Sequence, residues 1–371
     1  MKNILITGGA GFIGSHVSKE LLSHGYQVRA LDNLSPQVHG ADRKRPEYLA
    51  SEVELVVGDV RDAETVRNAI QGVDGVVHFA SLVGVGQSMY EIAEYTSVNN
   101  LGTATLLQVI SERPVECMVV ASSMSLYGEG LYRDCEGQVR AAPERTLEQL
   151  RMGKWEPMDE KGRLLIPVPT TEDKAPCLAS VYALSKFDQE RMTLMLGRAY
   201  GMRTVALRFF NTYGPYQALS NPYTGVLSNF ASRVLNGRPP LIYEDGLQKR
   251  DFVSVYDVAR ACRQALENPA ASGRALNISS GVPITVKEAA ERTVQALGRS
   301  DLQPNLTGKY RAGDIRHCFA DISQAREVLG WEPKVCLEQG LQDLAAWLEG
   351  QTAIDRAVEA RQELAVRGLM V

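Results

Sequence analysis

An apolar segment, Asn3-Ile4-Leu5-Ile6-Thr7, runs straight into Gly8-Gly9-Ala10-Gly11-Phe12-Ile13-Gly14, and a helix-like stretch over 12–24 follows. The glycines at 8, 11 and 14 constrain what this chain can fold into more than any other feature. Gly8 permits a tight turn out of a strand. Gly11 has no side chain to block a ligand approaching the backbone, and Gly14 lets the helix pack close to the sheet. A helix N-terminus presents unpaired N–H groups and a positive dipole end, which suit phosphate. Glycines also mark ordinary turns, so the strand–turn–helix context carries the argument.

Strands and helices then alternate. Apolar strands are expected at Val28–Leu31, Leu55–Val57, Val76–Phe79 and Met118–Val120, with helices near 62–71 and 99–111. The strands are β-branched and lack polar alternation, as a parallel sheet covered on both faces requires. The fold class expected is α/β: a Rossmann-type doubly wound parallel sheet with a smaller mixed α/β substrate-binding domain. Residues 1–209 with 250–281 would form the first domain, and 210–249 with 282–350 the second. Further helices are expected at 181–200, 225–236, 255–267, 285–297 and 337–349, and a strand at Thr204–Leu207. Residues 129–175 are polar and without period, with a short helix near Glu144 to Arg151. They read as an insertion, either an active-site flap or an oligomer contact. Residues 351–371 read as a charged helical tail.

A formal net charge of −4 gives no electrostatic reason for a nucleic-acid or anionic-membrane partner. No apolar run approaches the roughly 20 residues of a membrane span. Met-Lys-Asn leads directly into the first strand, which predicts no secretory leader. Six scattered cysteines form no C-x-x-C pair, and five histidines form no metal pattern. A cytoplasmic chain with free thiols and no metal is the expectation.

Asp32 ends the second strand, where a carboxylate accepts hydrogen bonds from a ribose diol and repels a 2′-phosphate. That points to NAD over NADP; the competing reading is a solvated turn aspartate. Asp59 is placed to meet an adenine ring or to cap the helix at 62–71. Tyr182 and Lys186, four apart, share a helix face. An ammonium there favours the phenolate and makes the tyrosine a general base. Ser123, past the end of the fifth strand, can hold the reacting oxygen. A lone Y-x-x-x-K also describes an exposed helix pair.

The G-x-x-G-x-x-G spacing resembles the extended short-chain dehydrogenase/reductases of the NAD-dependent epimerase/dehydratase family. Asp32-Asn33-Leu34, Gly58-Asp59-Val60-Arg61-Asp62, His78-Phe79-Ala80, Asn99, Ser122-Ser123, Tyr182-x-x-x-Lys186, Arg208-Phe209-Phe210-Asn211-x-Tyr213-Gly214-Pro215 and Arg250-Asp251-Phe252-Val253 follow in the family's order. The resemblance spans roughly 3–349, leaving the insertion and the tail uncovered. It implies a Ser123–Tyr182–Lys186 catalytic set. It implies cofactor contacts from Gly8, Gly11, Phe12, Ile13, Gly14, Asp32, Asn33, Asp59, Val60, Phe79, Ala80, Ser81, Asn99, Tyr182, Lys186 and Phe209. Asn99 also suits a helix cap, and Phe209 with Phe210 suits plain core packing.

In the related dehydratases an Asp-Glu pair follows the matching serine or threonine; here Met124 and Ser125 stand there. The decarboxylases place a glutamate at the second of these positions, and the 3,5-epimerases a cysteine at the first. The resemblance thus implies hydride transfer at one carbon, as in nucleotide-sugar 4-epimerases. Ser122 to Tyr132, Gln217 to Val226 and Arg311 to His317 carry a finer resemblance to dTDP-L-rhamnose 4-epimerase-like proteins. The implied substrate contacts are Val83, Ser123, Met124, Ser125, Asn211, Thr224, Val226, Tyr243, Arg250, Arg311 and Asp314. Arginine forks suit diphosphate oxygens, although Arg311 to Asp314 also suits a salt-bridged turn. Val83 and Met124 would form an apolar wall for a 6-deoxy methyl group. His78 is expected beside the cofactor and His317 in a loop. A homodimer through the helices near 88–111 and 181–200 is implied. A UDP-uronic acid 4-epimerase, a 4-ketoreductase and a non-catalytic dinucleotide sensor remain the competing functions.

Overall fold

The computed structural model describes residues 1–223, 225–310 and 314–369; for 357 and 358 only the backbone is described. Seven strands build the main sheet: β1 (Asn3–Thr7), β2 (Gln27–Asp32), β3 (Glu54–Val57), β4 (Gly75–His78), β5 (Cys117–Ser123), β6 (Arg203–Phe209) and β7 (Ala275–Ile278). Their order is β7-β6-β5-β4-β1-β2-β3, and every pairing is parallel. All residues of β4 and β5 are buried, so these strands read as unbroken apolar runs. Each fully buried Leu or Ile in such a core contributes about 1.5–3 kcal/mol.

Helices α1 (Phe12–Ser23), α2 (Gly102–Glu112), α3 (Val181–Tyr200) and α4 (Val255–Glu267) flank the sheet. The chain reverses direction across the sheet between β1 and β4. That switch point is where ligands enter sheets of this kind. Ser180 caps α3 by accepting from the Ala183 N–H, and Gly201 ends it at φ 64°. Tyr182 and Lys186 therefore stand in its first two turns. A π-helical stretch, Thr96–Leu101, precedes α2 and was read simply as helix from the sequence.

A second sheet centres on Lys249–Ser254. It pairs in parallel with Asn211–Tyr213 and His317–Cys318, and antiparallel with Pro283–Thr285. Helices Val226–Leu235, Val286–Ala296 and Leu337–Leu348 enclose a separate core over it. The helix Ser323–Leu329 escaped sequence reading. His317, expected in a loop, is a buried strand residue whose Nε2 lies 2.8 Å from Glu156 Oε2.

Residues 129–175 carry more structure than the sequence promised. Leu131–Arg133 pairs antiparallel with Val139–Ala141 and Ile166–Val168, and Leu147–Arg151 is helical. Strands of three residues are too short to display alternation. Arg316, wholly buried, reaches Glu156, Glu244 and Asp245 at 2.6–2.9 Å. Arg145 bonds Glu244 Oε1 and the Asp314 carbonyl, both at 2.8 Å. The insertion thus grips the segment 314–317. In the tail, Ala357–Val366 is helical, and Leu364 is buried against Gly86.

Candidate active site

Backbone geometry at the glycine turn agrees with the assigned roles. Gly8 has φ +68°, and a Cβ there would lie 2.8 Å from the Ala80 nitrogen. A Cβ on Gly14 would meet the Gly8 carbonyl at 2.4 Å, so α1 abuts the turn only because residue 14 is glycine. At Gly11 a Cβ would meet the Gly8 carbonyl alone, at 3.4 Å. The space over Gly11 belongs to a cavity of about 430 Å³ at the C-terminal ends of β1, β4 and β5.

Gly8, Gly11, Phe12, Ile13, Gly14, Asp32, Asn33, Asp59, Val60, Phe79, Ala80, Ser81, Val83, Ser123, Tyr182, Lys186 and Phe209 all line this one cavity. Asp32 is buried rather than a solvated turn residue: Oδ2 accepts from the Ala10 N–H and Oδ1 from the Leu34 N–H. Helix Ala63–Ala69 is capped by Asp62, which leaves Asp59 to face the cavity. Asp59 sits under the Arg61 guanidinium, whose hydrogen bonds hold its carboxyl down at about 2. Asn99 lies inside the π-helical stretch and caps nothing. Its Oδ1 accepts from the Leu82 N–H at 2.7 Å, fixing the loop after β4.

The reacting end has three groups. Ser122 and Ser123 alternate along β5, so they face different ways. Ser122 donates to Glu190, which pairs with Arg208 in the core. Ser123 and Tyr182 line the cavity together, and the Ser123 hydroxyl acts on the Tyr182 phenol. Burial pushes that phenol above its ordinary value, while the Ser123 hydroxyl pulls it down. Burial draws the Lys186 ammonium down to about 7, with Glu190 opposing. Tyr182 and Lys186 stand four residues apart on one face of α3, and a cation near a phenol favours its ionised form. Glu94, Asp59 and Asp32 are the carboxylates lining the cavity, and Arg61 ties Glu94 to Asp59. No described carboxylate or cysteine lines it beside Ser123 and Tyr182.

The residues assigned to substrate are less gathered. Met124, Ser125, Asn211, Val226, Tyr243, Arg250 and Asp314 do not line the cavity. Met124 Sδ lies 3.5 Å from Asn211 Nδ2, which also donates to the Asp251 carbonyl. Ser125 donates to Ser123 Oγ at 2.9 Å. Val226 opens its helix, directly after Gly225, a cavity residue. The Tyr243 carbonyl accepts from Gln248. Arg250 turns toward backbone, donating to the carbonyls of Lys249, Ile315 and Arg316. Asp314 Oδ1 accepts from the Ile315 N–H. Thr224 and Arg311 lie outside the described residues. The residues 129–175, expected as a flap or an oligomer contact, contribute nothing to the cavity lining. Sequence reading missed Gln37 and Asn221, both cavity residues. Gln37 Nε2 donates to Asn221 Oδ1 at 3.2 Å and to Gln87 Oε1 at 3.0 Å, joining the two halves across the cavity. Gln37, in the short helix Pro36–His39, and Asn221, in a turn, carry no motif that would have singled them out.

The dinucleotide fits these residues on two observations: the glycine turn lines the cavity with open space around Gly11, and the buried Asp32 carboxylate at the end of β2 lines it too. A doubly wound parallel sheet, a glycine turn opening into that cavity and a buried Ser–Tyr–Lys set define a dinucleotide-dependent enzyme of the short-chain dehydrogenase/reductase type. The chain belongs to the NAD dependent epimerase/dehydratase family, whose model matches residues 4–149 and 160–279. It is 34% identical over 352 residues to a dTDP-L-rhamnose 4-epimerase of Burkholderia thailandensis, covering 94% of this chain and 95% of the relative. Among solved structures it resembles the UDP-glucose 4-epimerase of Thermotoga maritima with UDP-glucose, with TM-score 0.77 and 30% identity over 94% of this chain and 99% of the other. The Thermus thermophilus UDP-glucose 4-epimerase complex with NAD is likewise similar, with TM-score 0.73 and 30% identity over 94% of this chain and 100% of the other. No helix among the described residues is long and apolar enough to cross a membrane.

Proposed function

We propose that this enzyme inverts C4 of a nucleotide-diphosphate sugar by transient oxidation, and that its substrate is a dTDP-6-deoxyhexose such as dTDP-L-rhamnose. The observation that carries the reaction class is the Ser123–Tyr182–Lys186 set with no further carboxylate or cysteine beside it among the described residues. Dehydration, decarboxylation and C3/C5 inversion each need a further proton-transfer group. Oxidation and reduction at one carbon need none.

NAD, when bound, supplies the hydride acceptor at C4 and the donor to the opposite face of the ketone. Tyr182 takes the 4-hydroxyl proton and returns it, Ser123 holds the same oxygen, and Lys186 favours the phenolate. Gly11 to Gly14 receive the pyrophosphate at the start of α1, and Asp32 holds the ribose diol. Asn33, Val60, Phe79, Ala80, Ser81 and Phe209 enclose the dinucleotide, and Asn99, outside the lining, holds the loop after β4. By resemblance, Asn211, Thr224, Val226, Tyr243, Arg250, Arg311 and Asp314 are assigned to the nucleotide diphosphate; the described ones stand outside the cavity lining. Val83, which lines the cavity, and Met124, buried outside the lining against Asn211, are assigned to the C6 side, where two apolar side chains suit a 6-deoxy methyl group. Ser125 is already bonded to Ser123, which weighs against its holding a uronic carboxylate. The identity to a dTDP-L-rhamnose 4-epimerase supports the same substrate.

Comparing turnover of dTDP-L-rhamnose, UDP-glucose and UDP-glucuronate tests this reading. A preference for the deoxy sugar that Met124→Gln erases is expected; full activity of Met124→Gln on that sugar defeats the wall. We also propose a homodimer. Ile92, Leu101, Leu184 and Met195 are each about half exposed on the surface shared by the 92–112 helices and α3. A cytoplasmic location accords with six free cysteines.

A further inference from the structure

Lys186 is buried, and its charge is held by one short contact. Nζ donates to Gln189 Oε1 at 2.6 Å; its other partner, Ser81 Oγ, is at 3.4 Å. Gln189 stands three residues on, on the same face of α3, and is itself buried. Its amide donates to Thr103 Oγ1 at 2.7 Å, and the Thr103 hydroxyl donates to the Asn99 carbonyl at 2.6 Å. Since that hydroxyl proton is spent, His78 Nε2, 2.8 Å from Thr103 Oγ1, must carry the proton and donate. His78 Nδ1 then accepts from the Thr7 hydroxyl at 2.6 Å, and Thr7 Oγ1 accepts from the Ala80 N–H. Burial holds the imidazole neutral, at about 3, as this tautomer requires. Gln189 Nε2 also lies 3.4 Å from His78 Nε2, but the shorter bonds that both make to Thr103 Oγ1 set the direction. The carboxamide of Gln189 is therefore locked with its oxygen toward Lys186.

We propose that Gln189 is a positioning residue for the reaction: it fixes the Lys186 ammonium beside the Tyr182 phenol, and is itself fixed by Thr103 and His78 at the ends of α2 and β4. This rests on Lys186 acting beside Tyr182. The charged or titratable groups acting on Lys186 are Glu190 on its own helix and His78 on β4, and Tyr182 stands four residues before it on the same helix face. Glu190 is shared with Arg208 of β6 at 2.6 Å, and His78 is neutral. The neutral carboxamide thus supplies the nearest acceptor to the ammonium. A hydrogen bond accepted from a charged donor favours the charged form. Losing it neutralises Lys186 at lower pH and raises the pH at which Tyr182 ionises.

The experiment is the pH profile of kcat and KM for epimerisation by wild type, Gln189→Met, Thr103→Val and Lys186→Met, each with bound NAD confirmed. Gln189→Met is expected to move the ascending limb of kcat up by about one pH unit, slowing turnover roughly tenfold on the acid side with KM unchanged. Thr103→Val, which frees the amide, is expected to shift the limb the same way by less. A uniform loss across pH, or no shift in either variant, overturns the proposal. Full activity of Lys186→Met overturns the Tyr–Lys reading beneath it, whatever the Gln189 variants do.

Discussion

Gly11→Ala and Gly14→Ala separate what the turn does for the fold from what it does for the ligand. At residue 14 a methyl would press on backbone, 2.4 Å from the Gly8 carbonyl and 2.7 Å from Gly9 Cα. Backbone cannot swing aside as a side chain does, so α1 must shift off the sheet. Overpacking of this kind costs about 1–3 kcal/mol. At residue 11 the methyl meets one protein atom at 3.4 Å, and φ −76° suits any L-residue. The fold should keep Gly11→Ala within about 0.5 kcal/mol. A phosphate held in contact with that backbone would be pushed away by the methyl. A similar penalty of about 1–3 kcal/mol then falls on the ligand, roughly a 10- to 100-fold loss in NAD affinity. The assay is urea unfolding of both variants, with NAD binding by calorimetry on protein stripped of nucleotide. Gly14→Ala should lose stability and affinity together, and Gly11→Ala affinity alone. Unchanged NAD affinity in Gly11→Ala would refute the close-approach argument.

Lys186→Met should make the nucleotide-free protein more stable, most of all below neutrality. Folding lowers the lysine from 10.5 to about 7. The unfolded chain therefore binds the extra proton between those values, and wild-type stability rises with pH across that window. Melting curves at about pH 6 and about pH 9 should show the variant's advantage shrink as pH rises; a constant advantage contradicts the assigned direction. Arg145→Met should leave Glu244 with only Arg316 and release the Asp314 carbonyl. Breaking a buried pair costs about 3–5 kcal/mol, and KM for the nucleotide sugar should rise more than kcat falls. A variant with normal KM would show that the insertion does not steady the 314–317 segment for substrate. Leu101→Glu with Met195→Glu should yield monomers by light scattering, and an intact dimer would move the interface elsewhere.

The parts of this molecule legible in its sequence are those where one constraint acts over several residues. β4 and β5 are buried on both faces, so their runs of valine declared them. The glycines at 8, 11 and 14 each answer a separate steric demand within one turn. Tyr182 and Lys186 were legible because helix spacing puts them on one face. Residues 131–168 were not, because three-residue strands show no period and their hold on the body is a buried ion network assembled from distant positions. Arg316 stands in a polar stretch with no period to mark it, yet it is wholly buried, its charge offset by Glu156, Glu244 and Asp245. Gln189 looked like one more polar residue on a long helix. Its partner threonine lies 86 residues away, a pairing no local pattern reveals.

Incubating the NAD-loaded enzyme with dTDP- and UDP-sugars in deuterated water, without added reductant, and following products by NMR tests the central claim most directly. Formation of the C4 epimer with no deuterium at C4 is expected, because the hydride leaves and returns within one closed site. Turnover only after NADH is added, or deuterium appearing at C4, would contradict it.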